Sequence, residues 1–208
     1  MDVFSLPSPK FQGKMSLEET MKRRRTHRSL TNQDISEDDL SQLLWATYGI
    51  NDTRDTLEED EFYHRTVPSS GHSFPTIVYV VMKQGLFRYE AENHELVLVK
   101  DTDFRGELPN EGMWEPNRLA IQTAPLTIIL ASDNEIASEL SPFLEDVLKY
   151  QFIEIGHCAQ NLMLQATSLG LGLTTMTSFD RIHIYRTLKI PLKHRPVYVI
   201  PVGHPTKE

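Results

Sequence analysis

The longest periodic stretch of the chain lies between Ser141 and Gly170, and it constrains the fold more than any other feature. The apolar residues that recur there at helical spacing are Phe143, Leu144, Val147, Leu148, Ile155, Ala159, Leu162, Met163 and Ala166. Ser141 and Pro142 predict the start of a helix, and Gly170 predicts its end. A helix of roughly 25 residues, rising 1.5 Å per residue, spans a whole domain, so the other elements must pack around it.

Small residues on this helix indicate a close neighbour. Gly156, Ala159 and Ala166 leave room for another helix to approach its backbone. The helix is also too apolar for a single subunit to bury comfortably, which favours a homodimer.

The remaining elements are shorter and are predicted from caps and from β-branched runs. Helices are expected at 17–25, after the capping box of Ser16 and Glu19, at 37–48 between Ser36 and Gly49, and at 181–188. Strands are expected at 77–82, 126–132 and 197–202, with a hairpin over 85–100. Residues 51–66, which are polar and acidic, and residues 101–116 are expected to be loops. Strands and helices do not alternate regularly, which favours an α+β fold.

Composition excludes several functional classes. The 208 residues carry a formal net charge of −8, which argues against broad nucleic-acid binding. No apolar run approaches the length of a membrane span, and no signal peptide is evident. A single cysteine, Cys158, is typical of a reducing compartment. We therefore expect a cytoplasmic protein of one domain that binds neither nucleic acid nor membrane.

Positive charge is nevertheless concentrated between Lys22 and Arg28. Guanidinium groups form paired, charge-assisted hydrogen bonds with phosphate, and a hydroxyl adds another donor. The residues that supply these groups are Arg24, Arg25, Thr26 and Arg28. Two simpler interpretations remain open: a solvated helix end whose cations complement the helix dipole, and a nuclear-localisation tract.

A second candidate binding segment is VPSSGHSFP, residues 67–75. Pro68, Ser69, Ser70 and Gly71 form a turn of small donors and exposed amides that Pro75 closes. Such a turn can lie flat against a planar ligand and donate hydrogen bonds to its edge. The alternative is a simple turn before the strand that follows.

Other motifs are weaker. GLGLTT at 170–175 lacks the third glycine of a dinucleotide fingerprint and follows a helix rather than a strand. GHSFP at 71–75 has proline in place of the second glycine of a nucleophile elbow. The histidines and Cys158 show no metal-ligand spacing. The sequence therefore indicates neither a metal site nor a side-chain nucleophile.

Taken together, these segments resemble the FMN-dependent nitroreductase family. The basic segment, with Thr26 in place of the usual serine, and the Pro-Ser-Ser-Gly turn match family motifs, as do ATSLGLGLTTMTSFD (166–180) and IPVGHP (200–205). The segments that narrow the resemblance to the SagB-like branch are ISEDDLSQLLWATYGIN, GLFRYEAENHELVLV and IEIGHCAQNLMLQA. The similarity runs from about residue 6 to residue 205.

The resemblance implies a nitroreductase-like fold in one domain over residues 1–208, with a mostly antiparallel central sheet flanked by helices. It also implies a homodimer with two FMN at the interface formed by the long helix. The residues that would hold the phosphate and ribityl chain are Arg24, Arg25, Thr26 and Arg28. The residues that would contact the isoalloxazine from the other subunit are Pro68, Ser69, Ser70 and Gly71. Asn117 matches a polar flavin contact, and Thr177 and Ser178 occupy the late loop at the flavin edge.

The chain departs from the family pattern in three places. Thr177 and Ser178 stand where many members have an acidic residue and a glycine. Only Lys207 is available as a basic phosphate ligand near the end of the chain. Lys149 and Tyr150 lie too close to the segment EIGH (154–157) to be the Lys-Tyr pair of azoline-oxidising members.

The resemblance therefore implies an FMN-dependent oxidoreductase in which NADH or NADPH (NAD(P)H) reduces the flavin and a small acceptor, such as a nitroaromatic or a quinone, reoxidises it. No catalytic side chain is required, because the cofactor carries the chemistry. Two alternatives remain open: an FMN dehydrogenase that oxidises azolines in a peptide, and a flavin-binding module without enzymatic activity.

Overall fold

The computed structural model describes residues 2–55 and 61–206. The α-helices within these ranges are α1 Leu17–Arg23, α2 Glu37–Tyr48, α3 Glu115–Thr123, α4 Asn134–Ser138, α5 Leu144–Ser168 and α6 Arg181–Leu188. The strands are β1 Val3–Ser5, β2 Ile50–Asp55, β3 Glu61–Arg65, β4 Thr76–Met82, β5 Gly85–Glu90, β6 Glu95–Lys100, β7 Leu126–Asp133, β8 Gly172–Leu173 and β9 His194–Gly203.

The main sheet has seven strands in the order β1-β6-β5-β4-β7-β9-β8. Every neighbouring pair in it is antiparallel, which confirms the predicted α+β class. β4 and β7 lie at the centre, paired from Thr76 opposite Ser132 to Met82 opposite Leu126. All eight residues of β7 are buried, as expected for a strand covered on both faces.

Helices cover both faces of this sheet. Alternate residues of a strand point to opposite faces, so Val80 packs toward α2 and α5 while Val81 packs toward α3 and α6. The first face buries Leu43 of α2 and Ile155 of α5. The second face buries the side chains Ile121, Ile184 and Leu188. The long helix therefore lies directly on the central strands, as its length predicted.

The long helix begins later than predicted. Its first residue is Leu144, and its N-cap position is Phe143 rather than Ser141. Ser141 instead accepts the backbone N–H of Phe143 at 3.1 Å and so fixes the approach to the helix. The predicted end is confirmed, because Gly170 follows the helix with a φ of +74°, a conformation that glycine adopts readily.

The prediction of a loop over residues 51–66 is wrong at both ends, because residues 51–55 belong to strand β2 and residues 61–65 form strand β3. β2 and β3 form an antiparallel hairpin in which Ile50 pairs with Arg65 and Asp52 with His64. These strands pair with each other and not with the main sheet. Their backbone groups are satisfied within the hairpin, so the strands need no apolar sequence pattern of the kind from which strands were predicted. The middle of the predicted loop, residues 56–60, lies outside the described residues.

Shorter elements also differ from the predictions. α1 ends at Arg23 instead of Arg25, and Arg24 is its C-cap. Helices α3 and α4 and strands β1 and β8 were not predicted. α3 was missed because it buries only Ala120 and Ile121, so its apolar stripe is short. No helix in the described ranges is long and apolar enough to cross a membrane.

Candidate functional site

The basic segment after α1 crosses the edge of the main sheet at β8 and the end of β9. The backbone N–H of His27 donates to the carbonyl of Leu173 at 2.9 Å, and that of Thr31 donates to His204 at 2.8 Å. A Cβ atom at Gly172 would lie 2.8 Å from Cβ of His27, so only glycine lets the segment approach this closely. The sheet edge therefore holds the backbone of the segment in place.

Arg24 and Arg28 carry charge that no carboxylate neutralises within residues 2–55 and 61–206. Arg28 reaches α3, where its Nε atom donates a long hydrogen bond of 3.4 Å to Oδ1 of Asn117. Its guanidinium lies 5.1 Å from the ring centroid of Trp114, a side chain that is 61% exposed. The structure thus brings together Arg28 and Asn117, which are distant in the sequence.

Arg25 has a different role from its neighbours. Its guanidinium donates to the carbonyl of Lys22 at 2.9 Å and to that of Arg24 at 2.8 Å. These carbonyls lie at the end of α1, where the helix leaves acceptors without intrahelical partners. Arg25 therefore caps a helix end, which is the simpler of the interpretations considered for this segment. Thr26 is exposed beside it.

The Pro-Ser-Ser-Gly turn requires glycine at its last position. Gly71 has a φ of +57°, and a Cβ atom there would lie 2.7 Å from Cδ2 of Leu140. Ser69 donates its hydroxyl to the carboxylate of Glu154 and accepts the backbone N–H of Phe74 at 2.9 Å. Pro68, Ser70 and Gly71 are exposed. The turn is therefore fastened through Ser69 and presents its other residues outward.

Glu154 is a buried carboxylate on α5, only 3% exposed, with several donors around it. The Thr76 hydroxyl donates to Oε1 at 2.6 Å, the Thr76 backbone N–H at 3.3 Å, and the Tyr48 hydroxyl at 3.2 Å. Burial, together with the charge of Glu154, raises the pKa of Tyr48 well above its usual value, so Tyr48 remains a donor. Burial also raises the pKa of the Cys158 thiol, which makes that cysteine unreactive.

A second buried network lies where β4, β7 and β9 meet. The Tyr79 hydroxyl lies 2.6 Å from Nδ1 of His194, and Nε2 of His194 lies 3.3 Å from Oδ2 of Asp133. Burial lowers the pKa of His194, and a neutral ring with its proton on Nε2 satisfies both neighbours. Lys193 contacts Asp133 at 3.2 Å and Glu135 at 2.7 Å. In the described ranges, no cluster of three or more His, Cys, Asp or Glu could hold a metal ion.

Thr177 and Ser178 line an open cleft of about 720 Å³, large enough for a small-molecule ligand. The residues that share the lining are Asn110, Gly112, Met113, Phe152, Phe179, Asp180, Arg181, Arg195, Pro196, Val197 and Tyr198. The cleft lies between the start of α6, the start of β9 and the exposed face of α5. Two arginines and an aromatic ring of α5 therefore meet at the predicted late loop.

Comparison with known proteins identifies the family. Residues 21–204 match the Nitroreductase family. The chain belongs to the nitroreductase family. A protein of Methanocaldococcus jannaschii with the name "Putative nitroreductase" is 30% identical over 208 residues, which cover 97% of each chain. This protein is therefore a nitroreductase-family oxidoreductase, from a family that generally uses a flavin.

Solved structures show the nitroreductase-like fold. A protein of the same name from Ralstonia eutropha JMP134 has a TM-score of 0.82 at 23% identity, covering 99% of this chain and 90% of that one. A "Putative NADH dehydrogenase/NAD(P)H nitroreductase" from Parabacteroides distasonis has a TM-score of 0.63 at 18% identity, covering 92% of this chain and 88% of that one. At these identities the similarity establishes the fold alone. The SagB-like branch stays a prediction.

The nitroreductase fold brings some predicted site residues together and keeps others apart. Arg28 and Asn117 are in contact, whereas Thr177 and Ser178 line the cleft. In the part of the chain that the structure describes, no hydrogen bond or ion pair joins the turn at 68–71 to the basic segment. Lys207 lies outside the described residues.

Sequence reasoning overlooked several residues of the candidate site. Glu154 could have been found, because it lies on the apolar stripe of α5 between Gln151 and Cys158, where an acid needs partners. Trp114 and Arg195 had no such signal. Each becomes part of a site only through contacts between distant segments, Trp114 with Arg28 and Arg195 with Phe152.

Proposed function

We propose that the protein is an FMN-dependent oxidoreductase that takes electrons from NADH or NADPH and passes them to a small acceptor, such as a nitroaromatic or a quinone. The observation that supports this most directly is the basic segment, where Arg24 and Arg28 form no ion pair with a carboxylate of the described residues and Arg28 contacts Asn117, a polar residue of α3. Because unpaired cations in an ordered segment favour an anionic ligand, this arrangement suits the phosphate of FMN.

The residues present fit a single phosphate. Arg24 and Arg28 supply guanidinium donors, and the exposed Thr26 supplies a hydroxyl. The guanidinium of Arg25 is already occupied by helix carbonyls, so we assign it to holding the segment rather than to the phosphate. A pyrophosphate is not favoured, because the GLGLTT segment lacks a complete glycine fingerprint.

The turn at 68–71 suits the edge of a planar ring. With the Ser69 hydroxyl fixed on Glu154, the exposed Ser70 and the backbone of Gly71 remain available to a ligand outside the subunit. Thr177 and Ser178 would approach the ring from the cleft. Bound FMN would supply the electron-transfer chemistry, so these residues only need to bind and orient it.

We further propose a homodimer that forms over the exposed face of α5. Phe152 and Ile153 on this face are 45% and 52% exposed, and Leu144 at its start is 70% exposed. Gly156 lies beside them with no atom within 4 Å of a Cβ at that position. A glycine inside a helix costs about 1 kcal/mol relative to alanine, so its presence suits the close approach of another backbone. A second copy would supply that backbone and carry its own turn to the flavin.

The electron donor and acceptor are proposed from the family. The name of the Parabacteroides distasonis relative includes NADH and NAD(P)H, which supports a reduced nicotinamide as donor. One open cleft beside the late loop would serve donor and acceptor in turn, so the donor must leave before the acceptor binds.

Flavin analysis and kinetics test this proposal. The cofactor that heat releases from the purified protein should be FMN by chromatography, and apoprotein should bind FMN supplied in excess. Steady-state rates with a nicotinamide and a nitroaromatic should give parallel reciprocal plots. Release of FAD, or no bound flavin after reconstitution with excess FMN, would contradict the cofactor, and intersecting plots would contradict the shared cleft.

Azoline oxidation has less support. Lys149 is exposed, and its ammonium lies 2.6 Å from Asp146 and 5.2 Å from the ring centroid of Tyr150. The hydrogen bond with Asp146 raises the pKa of Lys149, which keeps its amine protonated and unable to act as a general base near neutral pH. Flavin bleaching by a peptide without nicotinamide would favour this alternative. If neither a peptide nor a nicotinamide bleaches the flavin, a flavin-binding module without enzymatic activity is favoured.

A further inference from the structure

Two arginines meet in the cleft that holds Thr177 and Ser178. Arg181 is the first residue of α6, and Arg195 is the second residue of β9. Arg195 is a half-buried residue, and its guanidinium lies 5.6 Å from the ring centroid of Phe152. The fold therefore brings two cations from separate elements to one opening.

No carboxylate neutralises these arginines in the described ranges, since neither forms an ion pair there. Burial, followed by the positive charge of Arg181, lowers the pKa of Arg195, so the two guanidinium groups repel each other. Asp180 also lines the cleft, but its Oδ1 atom accepts the N–H of Ile182 at 2.8 Å as the N-cap of α6. A ligand anion would relieve the repulsion.

The rest of the lining suits an amphipathic ligand. Thr177, Ser178 and Tyr198 carry hydroxyls, whereas Met113 and Phe179 offer apolar surface. A small aromatic acid combines the charge and the apolar surface that this lining matches. The volume of about 720 Å³ is within the range of small-molecule sites.

We propose that Arg181 and Arg195 bind the oxyanion, a carboxylate or a phosphate, of a substrate that approaches the flavin. This inference rests on the proposed function, because the cleft is the one assigned above to donor and acceptor. The oxyanion has two possible sources: the 2′-phosphate of NADPH and a carboxylate on the acceptor. Either source would place an oxyanion between the guanidinium groups of Arg181 and Arg195.

Two pairs of substrates, whose members differ by one oxyanion, separate the two sources. Arg181→Gln and Arg195→Gln are compared with Arg186→Gln, a control on the exposed side of α6 that does not line the cleft. The donor arm compares NADPH with NADH, and the acceptor arm compares 4-nitrobenzoate with 4-nitrobenzamide. Each cleft variant should lower kcat/KM by roughly tenfold or more for the member of one pair that carries the additional oxyanion, with little change for the member that lacks it. The control variant, Arg186→Gln, should leave kcat/KM unchanged for both members of both pairs.

A binding measurement separates this inference from the proposed function. Benzoate titrated calorimetrically into the protein, with benzamide as reference, needs no flavin turnover. Its dissociation constant should rise roughly tenfold in each cleft variant and stay constant in Arg186→Gln. Unchanged benzoate binding together with unchanged charge discrimination in both arms would overturn the arginine site. A wild-type protein that binds benzoate through these arginines but does not bind FMN would instead overturn the proposed function and leave the arginine site standing.

Discussion

The hydroxyl of Thr76 donates a hydrogen bond of 2.6 Å to the carboxylate of Glu154, which joins the first residue of β4 to the middle of α5. The other oxygen of the same carboxylate accepts the hydroxyl of Ser69. One buried acid therefore ties the central sheet, the long helix and the Pro-Ser-Ser-Gly turn together. This explains why an acid is present on the buried, mostly apolar side of the helix.

Glu154→Ala should destabilise the fold strongly. The substitution leaves the hydroxyls of Tyr48, Ser69 and Thr76 without their acceptor, and unsatisfied buried groups cost about 1–3 kcal/mol each. We expect the free energy of unfolding, measured by urea denaturation, to fall by about 3 kcal/mol. Glu145→Ala, at an exposed site in the first turn of the same helix, should leave it nearly unchanged. Equal losses in the two variants would refute the role of Glu154.

Arg28→Ala should weaken FMN binding by about 10- to 150-fold, the equivalent of one charge-assisted hydrogen bond. Flavin titration of the apoprotein measures this loss. Arg25→Ala is the matched comparison, because its guanidinium bonds to helix carbonyls and the loss of affinity should be much smaller. A larger effect at Arg25 than at Arg28 would show that the assignment of the phosphate ligands is wrong.

The buried His194 network should make stability fall in mild acid. The pKa of His194 is lowered in the folded protein, so the unfolded state takes up a proton first, near a pH of about 6.5. Stability is then fully present above that pH and is lost as the pH falls toward the lowered, folded pKa. Burial also lowers the pKa of His94, which adds a contribution of the same sign.

Urea denaturation at several pH values between 5 and 8 tests this linkage. His194→Gln should reduce the dependence of unfolding free energy on pH, leaving the parts due to His94 and to His72, whose pKa burial also lowers. The control is His204→Gln, since His204 contacts Thr31 through its backbone carbonyl. A pH profile of His194→Gln that is as steep as that of the wild type would contradict the network's role.

Gly156→Trp should separate self-association from folding. A side chain at this position meets no atom of its own subunit within 4 Å of Cβ, so the monomer should still fold. In the proposed dimer it would block the approach of the second copy. Sedimentation should give twice 23.9 kDa for the wild type and 23.9 kDa for the variant. A wild type that sediments as a flavin-loaded monomer would contradict the interface.

The parts of the fold that could be predicted from sequence are those with local signals. The length of α5 followed from its apolar period, and the helix predicted at 181–188 is α6. The β2–β3 hairpin could not be predicted this way, because its strands pair only with each other and need no apolar face. Its signal lies in backbone pairing, which side-chain patterns do not reveal.

The residues of the candidate site that could be predicted from sequence are likewise those with local signals. Arg24 and Arg28 were found as a local cluster, and the turn at 68–71 as a local motif. The contact of Arg28 with Asn117 spans 89 positions, and the meeting of Arg181 with Arg195 depends on how α6 and β9 pack. The sequence also did not reveal that Arg25 binds carbonyls at the end of α1, because that contact depends on where the helix ends.

Separate measurement of the two half-reactions tests the central claim most directly. FMN-reconstituted protein is mixed without oxygen with one equivalent of NADH or NADPH, and a nitroaromatic is added after the visible flavin absorption has been recorded. We predict that at least one nicotinamide bleaches the flavin and that the nitroaromatic restores its colour. A protein that binds FMN but whose flavin neither nicotinamide reduces would contradict the proposed activity.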